Sequence, residues 1–414
     1  MGQKIREDAR TIIQDAIRAV QPDAAVRKAL SDRTFGGRVV LVAAGKAAWQ
    51  MALSAYECLG RRIDDGVVIT KYGHVMGPIS CFTCYEAGHP IPDENSFRGT
   101  QAALDLVSGL TAQDTVLFLL SGGGSALFEK PLLPPAELQD LTGQLLACGA
   151  DIVEINTVRK RLSAVKGGRF ALACAPAKVF SVVLSDILGD PLDMIASGPA
   201  YPDSSTCADA KAIVEKYGLR LSEQAWACLE QETPKNLTNV ETQITGSVRE
   251  LCRAAAQSCK NLGYQTTILT ADLCCEAREA GSFLASVARS HRDTSTPLAF
   301  IAGGETVVHL TGTGKGGRNQ ELALSAAEGL RGLKNTALFS IGSDGTDGPT
   351  DAAGGLVDNE TAARLEAKGV CIYDVLAQND AYHALEQVQG LVKTGPTGTN
   401  VNDVAVLLIR RNDA

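Results

Sequence analysis

The strongest constraint on this chain is a recurring unit: a short apolar run that ends in a glycine-bearing turn and passes straight into a helix-forming stretch. Arg38 to Val42 (RVVLV) leads into AAGKAAWQMALSAYECL, and Thr115 to Leu120 (TVLFLL) leads into SGGGSAL. Runs this short and apolar on both faces suit strands of a parallel sheet covered by helices on each side. Further strands are expected at Val67 to Thr70, Phe82 to Tyr85, Val179 to Leu184, Thr242 to Thr245, Thr266 to Leu269, 298–302, 305–310, Ala337 to Ile341 and Val404 to Ile409, with helices between them. The alternation predicts an α/β fold.

At 414 residues, 45% of them hydrophobic, the chain exceeds what one core usually serves, so two domains are expected. The polar stretch 231–240 (QETPKNLTNV), with Pro234, places the boundary: residues 1–235 form a first domain and 236–414 a second. Two α/β domains commonly hold their chemistry in a cleft between them, near the C-terminal ends of strands.

Composition excludes several classes. A formal charge of −8 argues against nucleic acid, which needs a broad basic surface. No apolar run is long enough to span a membrane, and the start of the chain lacks a secretory pattern, so a cytoplasmic location is expected. The 12 cysteines are scattered through apolar segments and read as free thiols. Cys81 and Cys84 lie in the apolar stretch Ser80 to Tyr85, read as a strand, where positions three apart face oppositely, so they make a poor metal or redox pair. The five histidines, His74, His89, His291, His309 and His383, show no zinc spacing and read as structural or surface imidazoles.

Any anionic ligand of this acidic chain must be held by local cations and backbone N–H groups. Gly45-Lys46, at the first strand-to-helix turn, offers N–H groups, a helix dipole and an ammonium. Ser121, Gly122, Gly123, Gly124 and Ser125 form a loop that a ligand can approach without meeting side chains. The basic run 156–169 (NTVRKRLSAVKGGR) reads mainly as a solvated helix face. Asp186 and Asp190 emerge at a strand end, a disposition suited to Mg²⁺ or to accepting a proton. In the second half, Gly303-Gly304-Glu305 is followed by TGTGKGGRNQE. Its formal G-x-G-x-x-G at Gly312, Gly314 and Gly317 is a weak dinucleotide signal, because Lys315 and Arg318 supply charge better suited to a terminal phosphate. Gly314, Lys315, Gly316 and Gly317 are thus phosphate-binding candidates, and the strand-end loops 342–354 and 394–403 add Asp344 and Asn400. Walker, protein-kinase and nucleophile-elbow motifs are absent.

In order, AAGKA (43–47), SGGGSAL (121–127), NTVRKRLSAVKGGR (156–169), SDILGD (185–190), ASGP (196–199), GGET (303–306), GKGGRNQE (314–321), GSDGTDGPTDAAG (342–354) and TGTNVND (397–403) closely resemble the glycerate 2-kinase family across nearly the whole chain. The resemblance implies transfer of the ATP γ-phosphoryl group to the 2-hydroxyl of D-glycerate, giving 2-phospho-D-glycerate, with Mg²⁺. It further implies a Rossmann-like N-terminal domain with a parallel sheet, a smaller C-terminal α/β domain of the MOFRL type, and an active site in the cleft between them. Lys46 and Arg318 match the residues implied to contact substrate and phosphate, with Asp186 as the third catalytic candidate. SDILGDPLD departs from the valine-rich form expected there. Partners would be small molecules, with a homodimer the one assembly allowed for. Two rival readings are a hydroxypyruvate reductase using NAD(P)H, a label relatives of this family have carried, and a non-catalytic nucleotide-binding protein.

Overall fold

A computed structural model describes residues 2–410 apart from 186, 188 and 190. Residues Ala25–Thr245 form one compact unit; residues up to Ala24, together with those from Gly246 onward, form the other. This differs from the division expected at residues 235 and 236 in two respects. The first helix, Gly2–Ala19, packs with the later half of the chain, against the helix Val248–Asn261. The strand expected at 242–245 pairs into the first sheet instead of the second.

That first sheet comprises β1 (Val39–Ala44), β2 (Asp65–Lys71), β3 (Phe82–Ala87), β4 (Thr115–Leu120), β5 (Lys178–Leu184) and β6 (Val240–Gly246), in the order β3-β2-β1-β4-β5-β6. Strands β3, β2, β1, β4 and β5 are parallel. Both faces are covered. Val40, Val42, Val116 and Phe118 enter one buried cluster and Val39, Leu41, Leu117 and Leu119 another, which is why these strands carry uninterrupted apolar runs. The strand order reverses direction between β1 and β4. In open α/β sheets that switch point leaves a crevice beyond the strand ends in which ligands bind.

The second sheet comprises β7 (Gln265–Leu273), β8 (Leu298–Gly304), β9 (Thr336–Gly342), β10 (Gly354–Asp358), β11 (Leu391–Val392) and β12 (Asp403–Ile409), ordered β11-β10-β9-β12-β8-β7. Only β7 and β8 pair in parallel; β12 runs antiparallel to both β8 and β9. The start of β12 therefore lies beside the ends of β8 and β9, with Asp403 opposite both Gly304 and Gly342. The strand expected at 305–310 does not form: beyond Gly304 only an isolated bridge, Glu276 to Val307, continues the pairing.

Candidate active site

At the switch point of the first sheet, Gly45 follows the end of β1 and Ser121 the end of β4. Gly45 sits at φ +126°, and a Cβ there would fall 2.2 Å from Ser121 Oγ, so only glycine permits the approach. The two turns are laced together: Lys46 N donates to Gly122 O (2.9 Å), Ala47 N to Ser121 Oγ (3.1 Å) and Ser121 N to Ala44 O (3.0 Å). Gly45 N donates to Ile69 O and Ala48 N to Gly45 O. The N–H groups of residues 45–48 are thus consumed within the protein, which corrects the expectation that those of Gly45-Lys46 await an anion.

The neighbouring loop supplies what that turn does not. The N–H groups of Gly122, Gly123, Gly124 and Ser125 have no acceptor among the described residues, and Gly122, Gly123 and Ser125 reach the surface. Beside them Lys46 is exposed, and its ammonium has no partner among the described residues. Open N–H groups next to an unpaired ammonium form an anion receptor. Two histidines read as structural border it. His74 Nδ1 lies 3.0 Å from Lys46 O. His89 packs so closely on the loop that a Cβ on Gly123 would sit 3.0 Å from its Cδ2 and 3.2 Å from Lys46 Cγ. Burial, then the positive Lys46 and Lys71 and the neighbouring His74, lower the pKa of His89.

Beneath the loop lies the basic run 156–169, and here the solvated-face reading is overturned. Lys160, Arg161 and Lys166 are 2%, 0% and 0% exposed. Lys160 reaches Asp203 (3.0 Å) and Asp193 (3.3 Å), Arg161 donates to Thr157 O and to Ser205, and Lys166 pairs with the fully buried Glu129 at 3.2 Å. Burial pushes the Lys166 ammonium down to about 8. Charges so deep persist because each meets a carboxylate or carbonyl. Lys166 Nζ (2.8 Å) and Arg159 Nη2 (3.3 Å) both donate to Ser125 O, fixing the end of the glycine loop from below. Ser125 Oγ in turn meets Ser197 Oγ at 3.2 Å, and Ser197 donates to Asn156 Oδ1 at 2.9 Å.

The second unit builds a different cluster where β8, β9 and β12 meet. Arg318, opening the helix Arg318–Leu330, donates from Nε (2.6 Å) and Nη2 (3.1 Å) to the two oxygens of Asp403 and from Nη1 to Glu305 (2.8 Å). Asn402 donates to the other Glu305 oxygen at 3.2 Å. These carboxylates raise the Arg318 pKa against the opposing effect of burial, while burial pushes Asp403 up. Asp347 accepts from the N–H groups of Asn319 (3.2 Å) and Gln320 (2.9 Å), and burial lifts it to about 6. Arg318 is therefore compensated already, unlike Lys46. Asp344 and Asn400 take part in local turns, accepting from Thr346 N and Asn402 N.

The loop from Glu305 to Gly317 packs on residues 378–381. A Cβ on Gly312 or Gly314 would strike Gln378 backbone atoms at 2.4 and 2.5 Å, and one on Gly317 would strike Asp347 at 2.3 Å. Gly314 N and Lys315 N donate to Gln378 O and Asp380 Oδ1, and the Lys315 ammonium lies 4.2 Å from the centre of the Tyr382 ring. These glycines admit protein backbone. A dinucleotide fingerprint needs them open to a pyrophosphate.

Asp186 and Asp190, the expected Mg²⁺ ligands, lie outside the described residues. Among the described residues no group of three or more His, Cys, Asp or Glu side chains is arranged to hold a metal ion, and no helix is long and apolar enough to cross a membrane.

The strand order and the receptor at its switch point define a doubly wound α/β protein of the kind that binds ligands beyond its strand ends. Residues 8–230 match the family described as Domain of unknown function (DUF4147), and residues 298–403 match the MOFRL family. A D-glycerate 2-kinase of Thermotoga maritima is 55% identical over 98% of this chain and 99% of its own. A protein of Agrobacterium vitis provisionally named a hydroxypyruvate reductase is 39% identical over 98% of this chain and 94% of its own. The crystal structure of a glycerate kinase from Thermotoga maritima superposes with a TM-score of 0.95 at 54% identity, covering 99% of this chain and all of that one. The chain belongs to the glycerate kinase family.

Proposed function

We propose that this protein is a glycerate 2-kinase, which transfers the γ-phosphoryl group of ATP, presented as its magnesium complex, to the 2-hydroxyl of D-glycerate and releases 2-phospho-D-glycerate and ADP. The observation that carries the reading is the full-length likeness to a D-glycerate 2-kinase, in a chain whose switch point bears an unpaired lysine and four open N–H groups. Phosphoryl transfer needs positioning and charge neutralisation more than a covalent nucleophile. Lys46 and the Gly122 to Ser125 N–H groups neutralise a phosphate or carboxylate. Arg318, held rigidly by Asp403 and Glu305, presents a fixed guanidinium edge. Gly45 and Ser121 set the geometry of the first site; Gly314, Lys315, Gly316, Gly317, Asp344 and Asn400 support the second. Asp186 and Asp190 stay the sequence's candidates for the metal.

The reductase name of one relative supplies the second reading, and the packed Gly312 loop speaks against it. A coupled assay decides. Purified protein with D-glycerate, ATP and Mg²⁺ is read through enolase, which accepts 2-phosphoglycerate, beside hydroxypyruvate with NAD(P)H. Signal in the first alone supports the kinase; nicotinamide oxidation with silence in the first overturns it.

A further inference from the structure

With Asp186 and Asp190 kept for the metal, the proposed transfer needs another acceptor for one proton. When the 2-hydroxyl oxygen bonds to the γ-phosphorus, the phosphorus–oxygen bond to ADP breaks, the electron pair leaves with ADP, and the hydroxyl proton must go to a base. Around the anion receptor the described residues offer few. Lys46 and Lys71 are cations. Glu86 and Asp93, the nearby carboxylates on and after β3, are engaged: Glu86 accepts from Val75 N (2.9 Å), and Asp93 from Tyr72 Oη (2.7 Å) and Ser96 N (3.0 Å). His74 is exposed, with Nδ1 turned to Lys46 O.

His89 differs in each respect. It is half-buried, its ring nitrogens have no hydrogen-bond partner among the described residues, and it lies against Gly123 in the middle of the open N–H loop, with Lys46 on the same side. From this placement, and resting on the glycerate kinase reading, we infer that His89 is the general base of the reaction, its unprotonated ring nitrogen taking the proton of the attacking hydroxyl and later releasing it to water.

The charges facing it fit that task. Burial, then the charges of Lys46 and Lys71, lower its pKa and so favour the neutral imidazole in the free protein. Bound anionic substrates offset those charges and raise its basicity when the proton must be taken. The imidazole must be neutral to act, so activity falls as pH drops through its pKa. In kcat/KM, which reports the free protein, this acid limb should lie below the ordinary histidine value of about 6.5, and in kcat it should lie higher.

The test uses the full-length protein in the enolase-coupled assay. His89→Gln should lose on the order of 10²- to 10⁴-fold in kcat, with the KM for glycerate changed by less than about threefold and the acid limb gone. Added imidazole should restore part of the activity of His89→Ala, which a merely structural role would not allow. Activity of His89→Gln within about threefold of wild type, an acid limb that survives in it, or one abolished by His74→Gln in its place would each overturn the inference. Should the variants not fold, the wild-type profile alone decides: a kcat/KM with no acid limb below the ordinary histidine value of about 6.5 sinks the proposal. A wild type that makes no 2-phosphoglycerate overturns the kinase reading itself, whereas an active wild type beside an unaffected His89→Gln removes only the base.

Discussion

Lys46 and Arg318 carry the same charge in opposite circumstances, and their removal should have different consequences. The Lys46 ammonium is exposed and bonded to nothing among the described residues, so Lys46→Ala should leave stability within about 0.5 kcal/mol of wild type. Turnover should fall on the order of 10²-fold or more, because charge stabilisation at the reacting group is lost. Arg318→Ala should lower turnover as well, but it strands the buried Asp403 carboxylate, adding a stability loss of about 2 kcal/mol. Activity assays paired with thermal and urea melts separate the two cases. Asp347 provides a pH signature. Its folded pKa of about 6 lies above the unfolded value, so the folded state holds the extra proton between about pH 4 and 6, and stability falls as pH rises through that window. Asp347→Asn should flatten this slope, worth about 3 kcal/mol, in urea melts taken at a series of pH values.

Among the elements, the loop Glu305 to Gly317 depends on one side chain. Asn379, in the left-handed region at φ +54°, accepts from Thr311 N (2.7 Å) and Gly312 N (2.9 Å) through one oxygen and donates to His309 O (3.1 Å) and buried Glu321 (2.8 Å). Asn379→Asp should keep the two acceptances but set a carboxylate against Glu321. A loss of about 2 kcal/mol or more is expected, smaller at acid pH, with faster proteolysis within residues 305–317. The sequence announced this loop's glycines but not what fills the space beside them, since Gln378 to Ala381 lie about sixty residues away. Strands were legible for a comparable reason in reverse: a buried apolar run such as TVLFLL states its own burial. It does not state its direction, so the antiparallel β12 and the assignment of β6 to the first sheet were hidden. Of the site, Lys46 and the SGGGS loop could be read locally. His89, separated from Gly123 by over thirty residues, read as one more structural or surface imidazole, and buried Lys160, Arg161 and Lys166 looked like a solvated face because their carboxylates are distant in sequence.

At the scale of the molecule, all twelve cysteines are free. Cys58, Cys81, Cys274, Cys275 and Cys371 are exposed and should react promptly with a thiol reagent in the native protein. Cys174, Cys252 and Cys259, which burial lifts to about 12, should stay silent until unfolding, and a reductant should leave the melting temperature unchanged. The packing of the helix Gly2–Ala19 with the later half of the chain has a further consequence, in time. Its buried stripe of Ile5, Ala9, Ile12, Ala16 and Ile17, together with Asp8 bonded to Tyr264 and Asp15 bonded to Ser258, finds its place only against residues made more than two hundred positions later. On a ribosome adding roughly 5–20 residues per second, that is a wait on the order of ten seconds or more. The first sheet can close during synthesis, while the second waits for β12 to fill its centre. An amphipathic helix made ahead of both sheets is docked last, which makes it a natural client for a chaperone at the exit tunnel.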